Sequence, residues 1–222
     1  MNIKFKLNRL RHLVFGEKFY KRLDFNWKLY PSRLQVIQHI IDIKKYKTYL
    51  EIGCYQDDIF SNIKIQNKIG VDPVSGGTVK DTSDGFFKKN NSKFDIIFID
   101  GLHHYKQVKK DIQNSLSFLN VGGLILLHDC MPQRFIEQAV PQAKGTWMGD
   151  VWKNIVECRT MPNIMTFTIH ADHGIGILLK RPNENPLNLS VSNFDKLKFK
   201  DFFYNYKIYL NVIFYEDIVK VL

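Results

Sequence analysis

The sequence predicts an α/β fold of the Rossmann-like, doubly wound type, with a mostly parallel seven-stranded sheet whose last strand is antiparallel and with helices on both faces. Short apolar runs of strand length alternate with segments of helical spacing through most of the chain, a pattern typical of such a sheet. The run at 49–53 ends in a Glu-Ile-Gly turn, and Asp72 closes the next run 19 residues after Gly53. A glycine turn followed by a carboxylate about 20 residues later is the arrangement that holds an adenosine ribose in folds of this class.

Six apolar runs are predicted to be strands, and a weaker one is expected near 78–80. The six runs span 48–53, 68–72, 94–100, 124–129, 165–170 and 176–180. The last two are separated only by a short segment that contains Asp172, His173 and Gly174, so we expect them to form an antiparallel hairpin. The other strands alternate with helical segments, and we expect them to be parallel.

Helices are expected between the strands and at both ends of the chain. Pro31 and Ser32 open one helix, and the apolar spacing predicts further helices at 59–65, 105–119 and 150–158. The predicted organisation has three parts: a basic N-terminal helical extension (1–30), a central domain (31–182), and a loop with a C-terminal helical appendage (183–222).

Composition narrows the class of protein. The chain has 222 residues, of which 45% are hydrophobic, enough for one well-packed domain. It contains no run of 18 apolar residues, so no transmembrane segment is predicted. The three cysteines, Cys54, Cys130 and Cys158, lack metal-ligand spacing, which favours reduced thiols in a cytoplasmic protein.

The positive charge is concentrated at the N-terminus. The net charge is +10, and residues 1–28 hold eight Lys or Arg against Glu17 and Asp24. Apolar residues recur there at helical spacing. The favoured interpretation is a helix packed on the domain or on a second subunit, which would give a homodimer. Peripheral contact of residues 1–28 with an anionic membrane surface or an acidic partner is the alternative.

The turn after Gly53 distinguishes among adenosine ligands. Asp57 and Asp58 stand at that turn and would repel the pyrophosphate of a dinucleotide, which needs a helix N-terminus free to receive it. S-adenosyl-L-methionine (SAM) has no phosphate and carries a sulfonium and an ammonium group, which suit nearby carboxylates. The chain also lacks the Gly-x-x-x-x-Gly-Lys-Ser/Thr sequence that binds ATP or GTP. These features favour SAM over NAD.

Three segments of the second half carry a resemblance to a known family. They are Phe-Asp-Ile-Ile-Phe-Ile-Asp-Gly-Leu-His-His-Tyr (94–105), Gly-Gly-Leu-Ile-Leu-Leu-His-Asp (122–129) and Gly-Asp-Val-Trp-Lys (149–153). In combination they resemble class I SAM-dependent methyltransferases of the small-molecule and sugar O-methylating type, related to macrocin O-methyltransferase and to enzymes of surface-polysaccharide clusters. The resemblance covers residues 31–180. The chain departs from it at Asp57, where the family usually has glycine.

The resemblance implies a set of cofactor contacts and an activity. The activity is methyl transfer from SAM to a hydroxyl of a sugar or glycoside, in surface polysaccharide biosynthesis. The amino-acid part of SAM would lie on the turn after the first strand, its ribose on the carboxylate that ends the second, and its adenine beside 81–84. The residues so implied are Glu51, Gly53, Asp72, Thr82, Ser83 and Asp100.

Histidines lie at the ends of two neighbouring predicted strands, and they indicate how the acceptor hydroxyl could lose its proton. A sugar hydroxyl is a poor nucleophile, so a base or a metal that assists loss of its proton is expected. His103 and His104 come shortly after Asp100, and His128 ends the next predicted strand. Parallel strands bring these side chains to one edge of the sheet. We expect His103 to be the general base, with His104 as the alternate, and Asp100 and His128 to belong to the same catalytic group.

A divalent metal site is the second expectation at this edge. Related sugar methyltransferases hold such an ion with carboxylates at the positions of Asp100 and Asp129, together with an acidic neighbour. Here that neighbour is His128. Because Mg²⁺ prefers oxygen ligands, the histidine either shifts the site toward another divalent metal or abolishes it. The expected ligand set is Asp100, His128 and Asp129, and both outcomes stay open.

The segment around 147–153 is expected to cover the acceptor pocket. Trp147 and Trp152 could stack on a sugar ring, and Lys153 could meet an acidic group of the acceptor. Plain packing of both tryptophans is an equal alternative. Arg33 could close the pocket from the opposite side, and the Asp172-His173 pair could reach it.

Three other functions compete with this interpretation. The +10 charge suggests a nucleic-acid methyltransferase, but the basic residues cluster at the N-terminus and no Asn/Asp-Pro-Pro-Tyr motif is present to hold a flipped base. A metal-dependent hydrolase built on the histidines would leave Asp72 unexplained. A non-catalytic, nucleoside-binding relative is compatible with Asp57 and His128. A small-molecule partner rather than nucleic acid is therefore predicted.

Overall fold

The computed structural model of this protein describes residues 3–143 and 145–222, and within them seven strands form one sheet. The strands are β1 Thr48–Ile52, β2 Asn67–Val71, β3 Phe94–Ile99, β4 Leu119–Leu127, β5 Met165–Ile169, β6 Ile175–Leu179 and β7 Val212–Ile213. Their order across the sheet is β2-β1-β3-β4-β6-β5-β7. Strand β6 runs antiparallel to both of its neighbours, β4 and β5, and the other pairings are parallel. The predicted fold class and the predicted hairpin are confirmed.

Helices connect the strands and flank the sheet. They are α1 Ile3–Phe15, α2 Arg33–Lys44, α3 Ser83–Lys89, α4 Tyr105–Ser117, α5 Phe135–Gln138, α6 Trp152–Arg159, α7 Phe199–Leu210 and α8 Ile218–Val221. Helix α2 begins at a capping box, in which Ser32 and Gln35 exchange backbone and side-chain hydrogen bonds. Among the described residues, no helix combines the length and the hydropathy needed to cross a membrane.

The core lies on both faces of the sheet because successive strand side chains point to opposite sides. In β3, Ile97 and Ile99 belong to the apolar cluster that includes residues of α4, α6 and α7. Ile96 and Phe98 belong to the second cluster, with residues of α2. All four side chains are at most 3% exposed. Burial on both faces explains why this strand is a nearly continuous apolar run rather than an alternating one.

The order of the strands creates a crevice at one edge of the sheet. The chain passes from β1 outward to β2 and returns to β3 on the other side of β1. The loops after β1 and β3 therefore leave in opposite directions, and ligands of open α/β sheets bind at such a switch point. The backbone N–H of Asp100 donates to the carbonyl of Ile52 over 2.8 Å, which holds the ends of the two strands together.

The prediction of a helix at 59–65 is wrong, because residues 59–62 form turns and residues 63–65 have no regular secondary structure. Backbone groups that a helix would need are bonded to side chains of other elements. The Lys68 ammonium donates to the carbonyls of Phe60 and Ile63 over 2.6 and 3.0 Å. The N–H of Lys64 donates to the side-chain oxygen of Gln38. These contacts offset the helical hydrogen bonds that the segment gives up.

The seventh strand is not the one that the sequence predicts. Near 78–80 the structure has only an isolated bridge between Val71 and Val79. The seventh strand is β7, which pairs with β5 at the opposite edge of the sheet. It follows Asn211, whose positive φ of 48° ends α7 and turns the chain toward that edge. The segment 83–89, which the sequence did not assign to a helix, forms α3 with Thr82 as its N-cap.

The helical part of the N-terminal extension is shorter than the apolar spacing predicts. Helix α1 ends at Phe15, and the next helical turn is Trp27–Leu29; residues 1 and 2 lie outside the described residues. The non-helical stretch packs on α7, where the centres of the Phe19 and Phe203 rings lie 5.1 Å apart. The Glu17 carboxylate accepts hydrogen bonds from the N–H groups of Phe199 and Lys200. A carboxylate at this position satisfies free N–H groups of the first turn of α7.

Candidate functional site

A cavity of about 1030 Å³ opens at the carboxyl ends of β1 to β4. This is the crevice at the switch point of the strand order, and its size suits a nucleoside-type ligand with room beside it. Most of the residues that the sequence predicts to form the site line this cavity. Those residues are Glu51, Gly53, Asp72, Thr82, Ser83, Asp100, His103, His128 and Asp129.

Gly53 lets the loop after β1 lie directly against the loop after β3. Its φ is +91°, and a Cβ built on it would come within 2.4 Å of the Asp100 carbonyl oxygen. Any other residue would push the two loops apart. Asp57, further along the loop, also has a positive φ of 64°, a backbone conformation that favours glycine. Its carboxylate accepts a hydrogen bond from the Gly77 N–H over 2.6 Å.

The Asp72 carboxylate organises two turns at the cavity wall. One oxygen accepts from the N–H groups of Cys54 and Tyr55 over 3.1 and 3.0 Å. The other accepts from the N–H groups of Val74 and Ser75 over 2.8 and 2.9 Å. Burial would raise the pKa of Asp72, but these four donors outweigh it and hold the pKa below its ordinary value. The four N–H donors occupy the lone-pair sites of the carboxylate, so a hydroxyl donor from the cavity would have to share an Asp72 oxygen with one of them.

Glu51 lies beneath the same loop with its side chain withdrawn from solvent. It is 1% exposed, and its Oε2 accepts from the Tyr49 hydroxyl over 2.5 Å. Burial raises the pKa of Glu51 to about 8, although the bond from Tyr49 favours the charged form and opposes the shift. At neutral pH the carboxyl is therefore mostly protonated until a cation approaches it.

Asp100, His103, His128 and Asp129 form one contact group at the floor of the cavity. Nε2 of His103 lies 3.2 Å from Oδ1 of Asp100, and its Nδ1 lies 3.3 Å from Oδ2 of Asp129. Nδ1 of His128 lies 3.2 Å from the same Asp100 oxygen and 3.4 Å from Oδ1 of Asp129. Each imidazole therefore bridges the two carboxylates. The neighbouring ends of β3 and β4 bring the four side chains together.

The carboxylates favour the charged form of both imidazoles. Burial would lower the pKa of His103, but the hydrogen bond to Asp100 and the charges of Asp129 and Asp100 raise it above its ordinary value. For His128 burial also acts to lower the pKa, and the charges of Asp129 and Asp100 raise it well above the ordinary value. The pKa of Asp100 is correspondingly lowered, because the two histidines outweigh its burial.

Arg33 and Asp172 complete this group from the other side. The Arg33 guanidinium lies 3.6 Å from Asp100 and 3.7 Å from Asp172. Nε2 of His128 lies 3.4 Å from Oδ1 of Asp172. Burial would raise the pKa of Asp172, but the bond to His128 and the neighbouring charges lower it to about 2. Both nitrogens of His128 are thus directed at carboxylates, and this arrangement fixes the orientation of its ring.

Two polar residues of α4 line the adenine side of the predicted site and were missed by the sequence analysis. Gln107 donates to Ser83, Asp84 and Asp111 over 3.1 to 3.2 Å, and both Gln107 and Asp111 line the cavity. Burial raises the pKa of Asp111 to about 6. The available signal was their spacing of four residues, which puts two polar side chains on one side of a helix that otherwise packs on the sheet.

The two histidines after β3 occupy different places. His103 lines the cavity, and the Trp147 ring lies 5.5 Å from its ring. His104 is the N-cap residue of α4 and is not among the described residues that line the cavity. Only glycine fits at position 149, because a Cβ there would come within 1.7 Å of the His103 carbonyl oxygen. The loop 145–150 therefore lies directly on the loop that carries His103.

Two expectations for the acceptor pocket are wrong. Trp152 is fully buried; its Nε1 donates to Gln138, and its ring packs on Phe202. Lys153 is also buried and donates to Asp150 and to the Asp195 carbonyl. Neither side chain lines the cavity within the described part of the chain. Both belong to the side of α6 that packs on the C-terminal segment.

The donors that converge best on a metal-sized space come from Asp100, His103 and Asp129. One ligand atom from each lies within 4.8 Å of the other two. Two carboxylate oxygens and one imidazole nitrogen suit Mn²⁺, Fe²⁺ or Zn²⁺ better than Mg²⁺. The sequence prediction had His128 as the nitrogen donor, and the geometry favours His103 in its place.

Part of the chain matches a family of known proteins. Residues 50–130 match the family model described as "Methyltransferase domain". The chain is also similar to the uncharacterized protein R132 of Acanthamoeba polyphaga mimivirus, with 29% identity over an alignment of 128 residues; the match covers 42% of this chain and 56% of that protein. The chain thus matches over just more than half the length of this curated relative.

Comparison with solved structures finds the same fold. The SAH-bound methyltransferase PaMTH1 of Podospora anserina is similar with a TM-score of 0.50 and 16% identity, over 80% of this chain and 86% of that one. The cofactor-bound protein Rv0187 from MTB is similar with a TM-score of 0.52 and 12% identity, over 82% of this chain and 99% of that one. At this level of identity the likeness concerns the fold, and it agrees with the fold class that the sequence predicts.

Proposed function

We propose that this chain, which has a class I methyltransferase fold and carries a methyltransferase domain over residues 50–130, transfers the methyl group of SAM to a hydroxyl of a sugar or glycoside. One observation carries the proposal. The cavity that holds the predicted SAM residues Glu51, Gly53 and Asp72 continues without interruption to His103 and Asp129. A methyl donor and a base for an acceptor hydroxyl can therefore meet in one space.

The charges of the cavity suit SAM. Its wall carries the ionised Asp72 and the carboxyl of Glu51, which loses its proton when a cation approaches, and no arginine or lysine other than Arg33 lines it in the described ranges. The Arg33 guanidinium is already close to Asp100 and Asp172. A pyrophosphate would meet carboxylates here, whereas the ammonium and sulfonium of SAM would be attracted to them. The ribose hydroxyls would donate to Asp72, and Thr82 and Ser83 would border the adenine.

His103 has the position of a general base for the acceptor. Methyl transfer is an in-line displacement, in which the acceptor oxygen attacks the methyl carbon as the bond to sulfur breaks, leaving SAH. In the free protein both nitrogens of His103 face carboxylates, so the acceptor hydroxyl would replace one of these partners and pass its proton to the nitrogen that is released. Asp100 and Asp129 would then stabilise the imidazolium that forms, as they stabilise it in the free protein. His128 would act through Asp100 and Asp129 by fixing their orientation, and His104 stays the alternate base proposed from sequence.

Asp100, His103 and Asp129 would hold a divalent ion if one binds. Such an ion would lower the pKa of the acceptor hydroxyl and orient it toward the methyl donor. The surface-polysaccharide role, a cytoplasmic location and a homodimer are parts of the same proposal. The three cysteines are free and buried, which is compatible with a reducing compartment.

The experiment that tests the function measures SAH formation from SAM. The purified protein is incubated with a panel of methyl glycosides and nucleotide sugars, with and without Mn²⁺ or Mg²⁺. We expect SAH to accumulate with at least one glycoside and not with duplex DNA. Tight SAM binding without turnover on any acceptor would favour the non-catalytic, nucleoside-binding alternative. Turnover on DNA would replace the sugar acceptor with nucleic acid.

We expect SAM binding at pH 7 to release a proton from Glu51. The buried carboxyl has a pKa of about 8 in the free protein, so it is mostly protonated at this pH. A cationic ligand favours the charged form and lowers that pKa toward the ordinary value of 4.5. Calorimetric titration in two buffers of different ionisation enthalpy gives the number of protons released. Glu51→Gln should abolish the release. Equal proton release by the wild type and the variant would show that Glu51 does not meet the cation.

We expect Asp129→Asn to weaken Mn²⁺ binding by about 10- to 100-fold, because it removes one of the three converging donors. Mn²⁺ competes with a proton for His103, whose pKa the carboxylates raise, so the affinity of the wild type should rise with pH until the raised pKa is passed. Electron paramagnetic resonance of free Mn²⁺, with SAH present, measures both effects. His104→Gln is the matched control and should bind Mn²⁺ as the wild type does. A wild-type protein that leaves the Mn²⁺ signal unchanged at pH 8 would remove the metal from the proposal.

A further inference from the structure

Helix α1 presents a row of apolar side chains to solvent. Ile3, Leu7, Leu10 and Val14 are 74%, 63%, 58% and 57% exposed, and no residue of α1 is buried. Their spacing of four, three and four residues puts them along one line of a helix with about 3.6 residues per turn. Four large apolar side chains in one exposed row mark a surface that another surface covers.

The opposite side of α1 packs on the rest of the protein, so the apolar row faces solvent. Phe5, Asn8 and His12 are the half-buried residues of the helix. Asn8 donates to the carbonyl of Gln142 over 2.7 Å, and the His12 ring lies 2.8 Å from the carbonyl oxygen of Pro141. These residues follow a spacing of three and four and lie across the helix from the apolar row. The helix therefore attaches through the side that carries Phe5, Asn8 and His12 and turns the apolar row outward.

Positive charge surrounds the row. Lys4 and Arg11 lie along one border of it and Lys6 along the other, all exposed, and α1 contains no acidic residue. A cavity of about 690 Å³ lies beneath the helix. Its lining adds further basic residues, namely Arg9, Lys21, Arg22 and Arg134. The acidic residue of that lining, Glu17, has its carboxylate bonded to the first turn of α7.

We propose that α1 docks the protein on an anionic lipid bilayer, with Ile3, Leu7, Leu10 and Val14 inserted among the acyl chains near the headgroups. An apolar row bordered by Lys and Arg is the composition that binds at such an interface, because the side chains enter the bilayer while the cations meet lipid phosphates. A second copy of the chain is the other occupant to consider. Two copies joined through this row would bring Lys6 and Arg11 close to their equivalents, and the like charges would repel. Charge complementarity therefore selects the anionic surface.

The test is co-sedimentation of the full-length protein with vesicles of phosphatidylcholine alone or mixed with phosphatidylglycerol. We expect binding to the mixed vesicles and none to phosphatidylcholine. Leu7→Glu/Leu10→Glu should reduce the partition coefficient at least about tenfold, because it puts charge into the row while keeping residues that favour a helix. Lys6→Gln/Arg11→Gln should reduce it by about 30-fold, since each of the two basic residues near an anionic surface contributes about 1 kcal/mol.

Matched variants elsewhere on the surface show whether the loss of vesicle binding is specific to α1 or follows from any change in surface charge or exposed apolar residues. Val121→Glu/Ile208→Glu changes two apolar residues that are 107% and 66% exposed on other elements. Lys88→Gln/Lys93→Gln removes two exposed positive charges. Both variants should bind vesicles as the wild type does, and SAH titration should find every variant folded. Equal binding by Leu7→Glu/Leu10→Glu and the wild type would overturn the proposal. So would a wild-type dimer in sedimentation velocity that this variant dissociates, with no vesicle binding, because the second copy would then be the occupant.

Discussion

Asp72→Asn is expected to weaken SAH binding about 100-fold, as measured by calorimetric titration. The ionised carboxylate is proposed to accept the ribose hydroxyls, and hydrogen bonds to a charged group contribute about 1.5–3 kcal/mol each. The same carboxylate accepts four backbone N–H groups from the turns at 54–55 and 74–75. An amide can accept through one oxygen only, so the substitution also loosens the loop that receives the amino-acid part of the ligand. Both effects act in the same direction.

Asp95→Asn is the matched control for this prediction. The Asp95 carboxylate accepts from the N–H groups of Lys47 and Thr48 and from Asn120, and its pKa is also below the ordinary value, because these bonds outweigh its burial. It lies at the start of β3, at the opposite end of the strands from the cavity. We expect this variant to lower the melting temperature without changing the affinity for SAH. If both variants weakened SAH binding equally, the effect of Asp72 would be structural and the proposed ribose contact would fall.

His103→Gln is expected to reduce the rate of methyl transfer by about 100- to 10,000-fold, the contribution of a general base. The acceptor for this assay is the glycoside that supports SAH formation in the panel. Only the neutral imidazole can take the proton, and the carboxylates raise the pKa of His103 above its ordinary value of 6.5. The kcat/KM of the wild type should therefore rise with pH through that raised pKa. The variant should lose this rise.

The neighbouring histidine provides the control for the base. His104→Gln changes the same type of side chain one residue away, at a position outside the cavity lining. We expect its rate and pH profile to stay those of the wild type, while SAH binds equally well to both variants. A large loss in His104→Gln together with a nearly normal His103→Gln would assign the base to His104. The loop after β3 would then change its conformation when substrate binds.

Most of the sheet follows from local sequence features. The six apolar runs became β1 to β6 because each is short and apolar and is bounded by turn residues. The helix predicted at 59–65 failed although its apolar spacing was adequate, since Lys68 and Gln38 take its backbone groups. Strand β7 could not be predicted, because two residues carry no periodic pattern. Its pairing with β5 depends on where α7 ends.

The sequence indicated which residues lie at the candidate site better than it indicated how they are arranged there. Gly53, Asp72, Asp100 and His103 follow strand ends, and parallel strands bring their carboxyl ends to one edge of the sheet. The roles of Trp152 and Lys153 could not be read in the same way. Both lie within a motif, but the side of α6 that carries them is covered by residues 195–202.

The sequence by itself determined six of the seven strands, the antiparallel hairpin of β5 and β6, the glycine turn after β1 and the carboxylate that follows β2. These features depend on burial periodicity and on backbone conformations that are properties of a few consecutive residues. Only the tertiary structure decided which imidazole converges with Asp100 and Asp129, and that Arg33 and Asp172 close the group. Asp172 accepts from the Arg33 backbone N–H 139 residues earlier in the chain. Contacts over such separations depend on how whole elements pack, which no local pattern encodes.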